Sequence, residues 1–132
     1  MPYSILVVDD EVSLANMFRQ FLVKLGYDAV SFTNPLLAFE HFKQNHEKYS
    51  AIITDLRMPG MSGLELANEI RKDNSLVKVF LVTAFDASDL INLPEYKTAR
   101  IDQIVKKPIR LPTLKKMLER TLVVKNSQQK RS

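Results

Sequence analysis

The amino-acid sequence predicts a single α/β domain in which a parallel sheet carries helices on both faces. Short, continuous apolar runs recur along the chain, as at residues 5–8 and 79–82. Such runs are typical of strands that are buried on both faces of a parallel sheet. Segments with apolar residues at helical spacing, such as Leu14, Phe18 and Leu22, lie between these runs. The chain has 132 residues and no internal repeat, which suits one domain with one core.

The sequence of the first half of the chain predicts three strands and three helices in that half. The strands lie at residues 5–8, 29–32 and 51–54. The first helix ends at Gly26, because glycine is the usual residue just past a helix C-terminus. Asn34 and Pro35 predict the N-cap and first turn of the second helix, which continues to about residue 45. Ser62 and Glu65 have capping-box spacing and predict the start of the third helix, which ends near residue 73.

The second half of the chain predicts two more strands and two more helices. The fourth strand covers residues 78–83, and the fifth is centred on Ile104 and Val105. The final helix carries a leucine stripe made of Leu111, Leu114, Leu118 and Leu122. Residues 87–93 predict a short helix that Pro94 should break or end. We therefore expect five helices, of which the fourth is short or irregular.

The charge of the chain is concentrated near its C-terminus. Residues 125–132 are polar and lack an apolar period, so we expect a domain of residues 1–124 and then a tail or the start of a linker. The formal net charge is +4, but three of the 19 basic residues and none of the acidic residues lie in this tail. The domain is nearly neutral, so nucleic-acid binding by the domain is not implied. The sequence has neither a membrane-length apolar run nor a signal-peptide pattern, and we expect a cytoplasmic protein without membrane contact.

Polar residues follow four of the predicted strands at the points where the strands end. They are Asp9 and Asp10, then Asp55, then Thr83 with Ala84, then Lys107 with Pro108. Because the carboxyl ends of parallel strands share one edge, where ligands bind in open α/β sheets, we expect these groups to meet. Two like charges ~4 Å apart repel by roughly 4 kcal/mol at an effective dielectric constant near 20. A hard divalent cation such as Mg²⁺ would relieve that repulsion among the three carboxylates.

Each of these residues also has an ordinary structural interpretation. Asp55 could cap a turn, and the acidic run at Asp9 and Asp10 could favour the N-terminus of the first helix. His41 and His46 have no metal-ligating partner at a suitable spacing, so we expect them on a solvated helix face and at its exit.

The set of motifs at the strand ends resembles the receiver domain of two-component response regulators, and the resemblance covers residues 4–124. It rests on Asp9-Asp10 after the first strand, Asp55 after the third, Thr83-Ala84 after the fourth and Lys107-Pro108 after the fifth. The resemblance implies a flavodoxin-like three-layer α/β/α sandwich with a five-stranded parallel sheet of order 2-1-3-4-5.

The resemblance also implies a phosphoacceptor and a metal site. Asp55 would attack the phosphohistidine of a histidine kinase and form an aspartyl phosphate. Asp10 would ligate Mg²⁺ directly, Asp9 would act mostly through a metal-bound water, and the backbone carbonyl of Arg57 would supply a further ligand. A domain of this kind is not an enzyme acting on other molecules, since it catalyses only its own phosphorylation and dephosphorylation.

Further implied roles concern the phosphate and the conformational switch. The Thr83 hydroxyl and the Ala84 N–H would bind phosphate oxygens, and Lys107 would pair with the phosphate. The Lys107–Pro108 bond would be cis. Ile104 stands where the family usually has a switch aromatic, so a ring-flip mechanism is not available, and the partner face around Ile104 and Pro108 is atypical.

The implied partners are a histidine kinase or a histidine phosphotransfer protein, and a downstream output domain or protein; a homodimer is left open. One alternative is a receiver-like interaction module that works without phosphorylation. Another is a phosphatase-like hydrolase, which is disfavoured because Arg57, two positions after Asp55, replaces the acid that such enzymes commonly use.

Overall fold

The computed structural model describes residues 3–84 and 86–131 and contains a single five-stranded sheet. The strands are β1 Ser4–Val8, β2 Asp28–Phe32, β3 Ala51–Asp55, β4 Lys78–Thr83 and β5 Gln103–Lys106. The helices are α1 Val12–Lys24, α2 Pro35–Gln44, α3 Gly63–Asp73, α4 Pro94–Ala99 and α5 Leu111–Arg131, with a 3₁₀ turn at Ala87–Asp89. Strands and helices alternate along the chain, as predicted.

All five strands are parallel, and their order across the sheet is β2-β1-β3-β4-β5. In this register Val8 lies opposite Thr54, and Asp55 lies opposite Val82. Thr83 lies opposite Lys106 at the end of the last pair. The carboxyl ends of β1, β3, β4 and β5 therefore meet at one edge of the sheet. The predicted strand order and α/β/α layers are confirmed.

The sheet is buried on both faces, which explains the continuous apolar runs. Ile52 and Leu81 pack toward the face covered by α2, α3 and α4. Ile53 and Val82 pack toward the opposite face, which α1 and α5 cover. Neighbouring residues of one strand thus belong to two different cores.

The predicted helix caps are present. The Asn34 side chain accepts hydrogen bonds from the first turn of α2, where Pro35 is the first helical residue. Ser62 and Glu65 form the reciprocal capping box of α3. Gly26, just past α1, has φ +97°, a backbone conformation that glycine adopts without strain.

The region before β5 differs from the prediction in one respect. α4 is short, as expected, but Pro94 begins this helix instead of ending one. Proline suits the first helical position, because the N–H that it lacks would have no intrahelical partner there. The turn before it is a separate 3₁₀ segment, Ala87–Asp89.

The last helix is longer than predicted. α5 continues to Arg131 and takes in residues 125–131, for which the sequence predicts a polar tail. Lysine, glutamine and arginine favour helix, and neither glycine nor proline interrupts this stretch. The division into a domain of residues 1–124 and a tail of residues 125–132 stays a prediction, and residue 132 lies outside the described residues. Within the part of the chain that the structure describes, no helix combines the length and apolar composition that a membrane span requires.

Candidate functional site

Three carboxylates meet at the carboxyl edge of the sheet, as the sequence predicts. Asp9 and Asp10 follow β1, and Asp55 is the last residue of β3. One carboxylate oxygen from each of the three lies within 4.8 Å of those from the other two. Asp10 is exposed, whereas the other two are buried. We call these three residues the acidic cluster.

Asp9 is the least accessible member of the acidic cluster. Only 1% of the residue is exposed. One oxygen, Oδ1, accepts a hydrogen bond of 2.9 Å from the Glu11 N–H, but Oδ2 is buried without a partner. Burial, with smaller contributions from the charges of Asp55 and Asp10, raises the pKa of Asp9 to about 6. A buried, half-satisfied carboxylate is costly, so this site favours an added cation.

Asp55 is held by one cation and one backbone donor. Its Oδ1 lies 3.4 Å from the Lys107 Nζ and accepts a 3.0 Å hydrogen bond from the Leu56 N–H. Burial raises the pKa of Asp55, while the Lys107 ammonium and the Leu56 N–H oppose that rise. Lys107, the first residue after β5, thus faces the acidic cluster with its ammonium group.

The donor set of the acidic cluster fits Mg²⁺. This ion prefers oxygen ligands and is usually held by one or two carboxylates together with waters and phosphate. The orphaned Oδ2 of Asp9 and the exposed carboxylate of Asp10 supply such oxygens beside Asp55. Arg57 lies two residues beyond Asp55, and ligation by its backbone carbonyl stays a prediction.

The phosphate-binding residues predicted from the sequence flank the acidic cluster on its β4 side. Thr83 ends β4 and is buried, and Ala84 follows it at the surface. The Thr83 carbonyl accepts a 2.9 Å hydrogen bond from the Lys107 N–H, so the backbones at these two positions are joined. The roles of Thr83, Ala84 and Lys107 toward phosphate stay predictions.

The predicted partner face consists of Ile104 and Pro108, which lie on either side of Lys107 in the sequence. The Lys107–Pro108 bond is cis, as expected. Ile104 is half-buried in β5, opposite Leu81 of β4. A cavity lies beside it, against α5. The switching roles of Ile104 and Pro108 stay predictions.

Gly63 is a positioning residue that sequence reasoning missed. Its N–H donates a 2.8 Å hydrogen bond to the Leu56 carbonyl. A Cβ at this position would lie 2.3 Å from the backbone oxygen of Asp55, so only glycine permits this approach. Its place directly after the N-cap Ser62, close behind Asp55 in sequence, is the only signal that could have indicated its role.

His41 was wrongly predicted to be on a solvated face. It is half-buried, and its Nε2 lies 2.5 Å from the Tyr49 hydroxyl. Its ring packs 5.0 Å from the ring of Phe32, measured between centroids. Burial, with a smaller contribution from the charge of Lys48, lowers the pKa of His41. Tyr49 follows His41 by eight positions and lies beyond the end of α2, so helical spacing does not reveal this hydroxyl partner, which is why periodicity alone misplaced the His41 side chain.

Comparison with known protein families agrees with the resemblance seen in the sequence. A family model described as the response regulator receiver domain matches residues 5–119. Among curated relatives, the response regulator receiver protein CpdR of Brucella abortus is 29% identical over 119 residues, covering 90% of this chain and 96% of the relative. The regulatory protein VanRB of Enterococcus faecalis is 33% identical over 122 residues, covering 92% of this chain but 53% of the relative.

Other relatives are much longer than this chain. A cyclic di-GMP phosphodiesterase of Thermotoga maritima is 30% identical over 112 residues, which make up 85% of this chain and 29% of the relative. The chain thus spans about half or less of the length of several curated relatives that it matches.

Solved structures have the same fold. A response regulator receiver domain from Clostridium thermocellum superposes with a TM-score of 0.84 at 22% identity, covering 96% of this chain and 98% of that one. The chemotaxis protein CheY4 of Vibrio cholerae superposes with a TM-score of 0.81 at 24% identity, covering 91% and 98%.

Proposed function

Because this chain belongs to the family of response regulator receiver domains, we propose that Asp55 accepts a phosphoryl group from a histidine kinase or a histidine phosphotransfer protein. The acceptance is Mg²⁺-dependent. One observation carries this proposal above the others: three carboxylate oxygens lie within 4.8 Å of one another, and a lysine ammonium lies 3.4 Å from the central Asp55. Receiver domains are signalling domains, and we propose no enzymatic activity on other substrates.

Phosphoryl transfer to Asp55 requires alignment of the reacting groups and neutralisation of negative charge. A carboxylate oxygen of Asp55 forms a bond to the phosphorus, and the phosphorus–nitrogen bond of the donor phosphohistidine breaks, so that its electron pair returns to the imidazole. A deprotonated carboxylate needs no general base. Catalysis of such a transfer consists mainly of alignment and of stabilising charge on the phosphoryl oxygens. Lys107, already beside Asp55, supplies one positive charge for that purpose.

Mg²⁺ would be held by Asp10 and Asp55, by Asp9 mostly through a metal-bound water, and by the Arg57 backbone carbonyl. When bound, the ion supplies positive charge against the three carboxylates and the phosphoryl oxygens. Asp9 contributes the oxygen that has no partner in the protein. Its burial fixes the side chain in place before any ligand arrives.

The phosphorylated domain would signal by changing its partner face. The Thr83 hydroxyl, the Ala84 N–H and Lys107 would bind the phosphate oxygens and so favour one conformation over another. The shift can be no larger than the difference in phosphate binding free energy between the two conformations. Ile104 lies on β5 just before Lys107 and Pro108 directly follows Lys107, and we propose that the partner face changes there. The downstream target is an output domain or a separate protein, and we expect signalling in the cytoplasm.

A phosphate mimic tests this proposal. The ¹⁵N-labelled chain is titrated with a beryllofluoride salt in the presence of Mg²⁺, and amide chemical shifts are recorded. We expect shifts around Asp55, Thr83, Ala84 and Lys107, and none in the Asp55→Asn variant. Asp28→Asn, an exposed change on β2, is the matched control and should respond like the wild type. An unresponsive wild type, or an equal response in Asp55→Asn, would favour the alternative of a phosphorylation-independent interaction module.

A further inference from the structure

The peptide group that joins Asp55 to Leu56 is held at both ends. Its carbonyl oxygen accepts a 3.0 Å hydrogen bond from the Thr54 hydroxyl. Its N–H donates to the Val82 carbonyl at 2.9 Å and to Oδ1 of Asp55 at 3.0 Å. Because the atoms of a peptide group are coplanar and turn as one unit, this group connects the Thr54 hydroxyl to the Asp55 carboxylate.

The carbonyl of Asp55 lies in a buried and crowded place. Thr54 has no exposed surface, and only 8% of Asp55 is exposed. Gly63 of α3 approaches so closely that a Cβ there would lie 2.3 Å from the carbonyl oxygen of Asp55. The Gly63 N–H donates to the Leu56 carbonyl, one residue further along the chain. A buried carbonyl without a donor is costly, so the Thr54 hydroxyl supplies a hydrogen bond that this packing requires.

Packing alone does not account for a hydroxyl at position 54. The residues that precede it in β3 are aliphatic, namely Ala51, Ile52 and Ile53. Valine has nearly the same shape as threonine and would bury an apolar methyl group at this point in place of the hydroxyl. Burying a hydroxyl is unfavourable unless it forms a hydrogen bond, and the bond that Thr54 forms is to the residue proposed as the phosphoacceptor.

We propose that Thr54 is a positioning residue for phosphoryl transfer: its hydroxyl fixes the Asp55–Leu56 peptide group, and the N–H of that group fixes the Asp55 carboxylate. This inference rests on the proposed function, because it assigns a role in the reaction of Asp55. Without the hydroxyl, the peptide group turns and the Leu56 N–H moves away from Oδ1. The carboxylate then keeps Lys107 but loses its backbone donor, and misplacement of a reacting group slows a reaction strongly.

Two substitutions separate the hydroxyl of Thr54 from its packing. Thr54→Val keeps the shape and removes the hydroxyl, whereas Thr54→Ser keeps the hydroxyl and removes the methyl group. The rate of modification by acetyl phosphate with Mg²⁺, followed by intact mass, should fall by about tenfold or more in Thr54→Val and by less than about threefold in Thr54→Ser. Stability to urea should show the opposite order if packing dominates it, because serine leaves a small cavity. Thr54→Ala should be as slow as Thr54→Val and repeats the comparison with a smaller side chain.

The Leu56 amide provides a spectroscopic readout that does not depend on phosphorylation. In the ¹⁵N-labelled chain without a phosphoryl donor, its proton resonance should move upfield in Thr54→Val, because the N–H loses its carboxylate acceptor, and should stay near the wild-type position in Thr54→Ser. Ile53→Val is the matched control. It shortens a buried side chain of the same strand in the opposite core, so it should lower stability without moving the Leu56 resonance or slowing modification.

Each other outcome overturns the inference. Modification of Thr54→Val at the wild-type rate would reject the positioning role but leave the phosphoacceptor function in place. Equally slow modification of Thr54→Val and Thr54→Ser would assign the effect to packing. Slow modification of Thr54→Val with an unmoved Leu56 resonance would reject the route through the peptide group. A wild type that is not modified at all would reject the phosphoacceptor function and the positioning role together.

Discussion

Buried charged groups are partnered differently at the two ends of the parallel strands, the carboxyl edge and the amino edge of the sheet. At the carboxyl edge, Asp9 is buried with one oxygen unpartnered, and two more carboxylates lie close by. At the amino edge, the guanidinium of Arg71 is also buried, with 8% of its side chain exposed, but every part of it has a partner. It donates to the Asp102 carboxylate and to the carbonyls of Ser75, Val77, Ala99 and Arg100.

This difference separates a structural charge from a functional one. Arg71 joins the end of α3 to the start of β4 and to the turn before β5, where Arg100 has the positive φ of +50°. Buried polar groups are normally satisfied within the protein, and those that are not require an explanation. The Arg71 guanidinium has all its hydrogen-bond partners within the protein, whereas the acidic cluster needs a bound cation to balance its carboxylates. Four predictions test this comparison.

Removal of Arg71 should have the largest effect on stability. Arg71→Ala removes the five hydrogen bonds that the guanidinium donates to the segments before β4 and β5, and we expect the free energy of unfolding to fall by about 3 kcal/mol. Urea unfolding measures the change. Lys72→Ala, on the next residue, removes only an exposed pair with Glu69 and should cost less than about 0.5 kcal/mol. Equal losses in the two variants would mean that the Arg71 network is not the structural anchor of the amino edge.

Gly63→Ala should damage both stability and function. The new Cβ meets the Asp55 carbonyl oxygen, so the backbone must move, at a cost of about 2 kcal/mol. Because Asp55 is displaced, beryllofluoride binding should weaken as well. Gly26→Ala is the matched control: it costs about 1 kcal/mol through its positive φ, has open space for the Cβ, and should leave beryllofluoride binding unchanged. Normal binding by folded Gly63→Ala would contradict a positioning role.

Asp9→Asn should raise the free energy of unfolding, in contrast to the two variants above. In a buffer that contains a chelator, we expect a gain of about 1–2 kcal/mol near pH 7.5. The folded-state pKa of Asp9, about 6, lies above the ordinary value of 3.8, so the folded protein retains a proton that the unfolded chain has lost between these values. The stability of the wild type should therefore fall, relative to Asp9→Asn, as the pH rises from about 4 to 6. Urea unfolding in a chelator measures both effects.

Addition of Mg²⁺ should reverse that difference. An ion that binds only the folded state stabilises it by mass action, so the wild type gains more than Asp9→Asn. A wild type that is as stable as Asp9→Asn at every pH, with or without Mg²⁺, would mean that the acidic cluster carries no stored repulsion.

His41 should have the smallest effect. Burial and the charge of Lys48 lower its pKa below the ordinary 6.5, so its contribution to stability is present above pH 6.5 and is lost as the pH falls below that value. His41→Gln should remove this part of the pH dependence. Unfolding measured at pH 7.5 and 5.5 on the Asp9→Asn background isolates it from the titration of Asp9. An unchanged pH dependence would mean that His41 keeps an ordinary pKa.

Most of the carboxyl edge could be predicted from the sequence, because its residues directly follow apolar strands. Asp9, Asp55, Thr83 and Lys107 each end or follow a strand, and the parallel arrangement brings them together without further information. The capping residues Asn34 and Ser62 could also be predicted, since their hydrogen-bond partners lie two and three residues away in the sequence. Local patterns thus located both the elements and the acidic cluster.

The parts that sequence reasoning missed depend on contacts between distant segments. The partners of Arg71 include Ala99 and Asp102, which follow it by 28 and 31 positions. Gly63 depends on how closely α3 approaches β3, and His41 on where the loop before β3 places Tyr49. Pro94 was misplaced because proline fits the first turn of a helix as well as it ends one, and only tertiary packing decides between them.

Intact mass after incubation with acetyl phosphate and Mg²⁺ tests the central claim most directly. We expect the wild type to gain one phosphoryl group, to lose that gain when Mg²⁺ is chelated, and to carry the modification at Asp55 in peptide mapping. Asp55→Asn should remain unmodified, while Arg71→Lys, if folded, should still be modified. A wild type that gains no phosphoryl group under these conditions, or an Asp55→Asn variant that gains as much, would contradict the account.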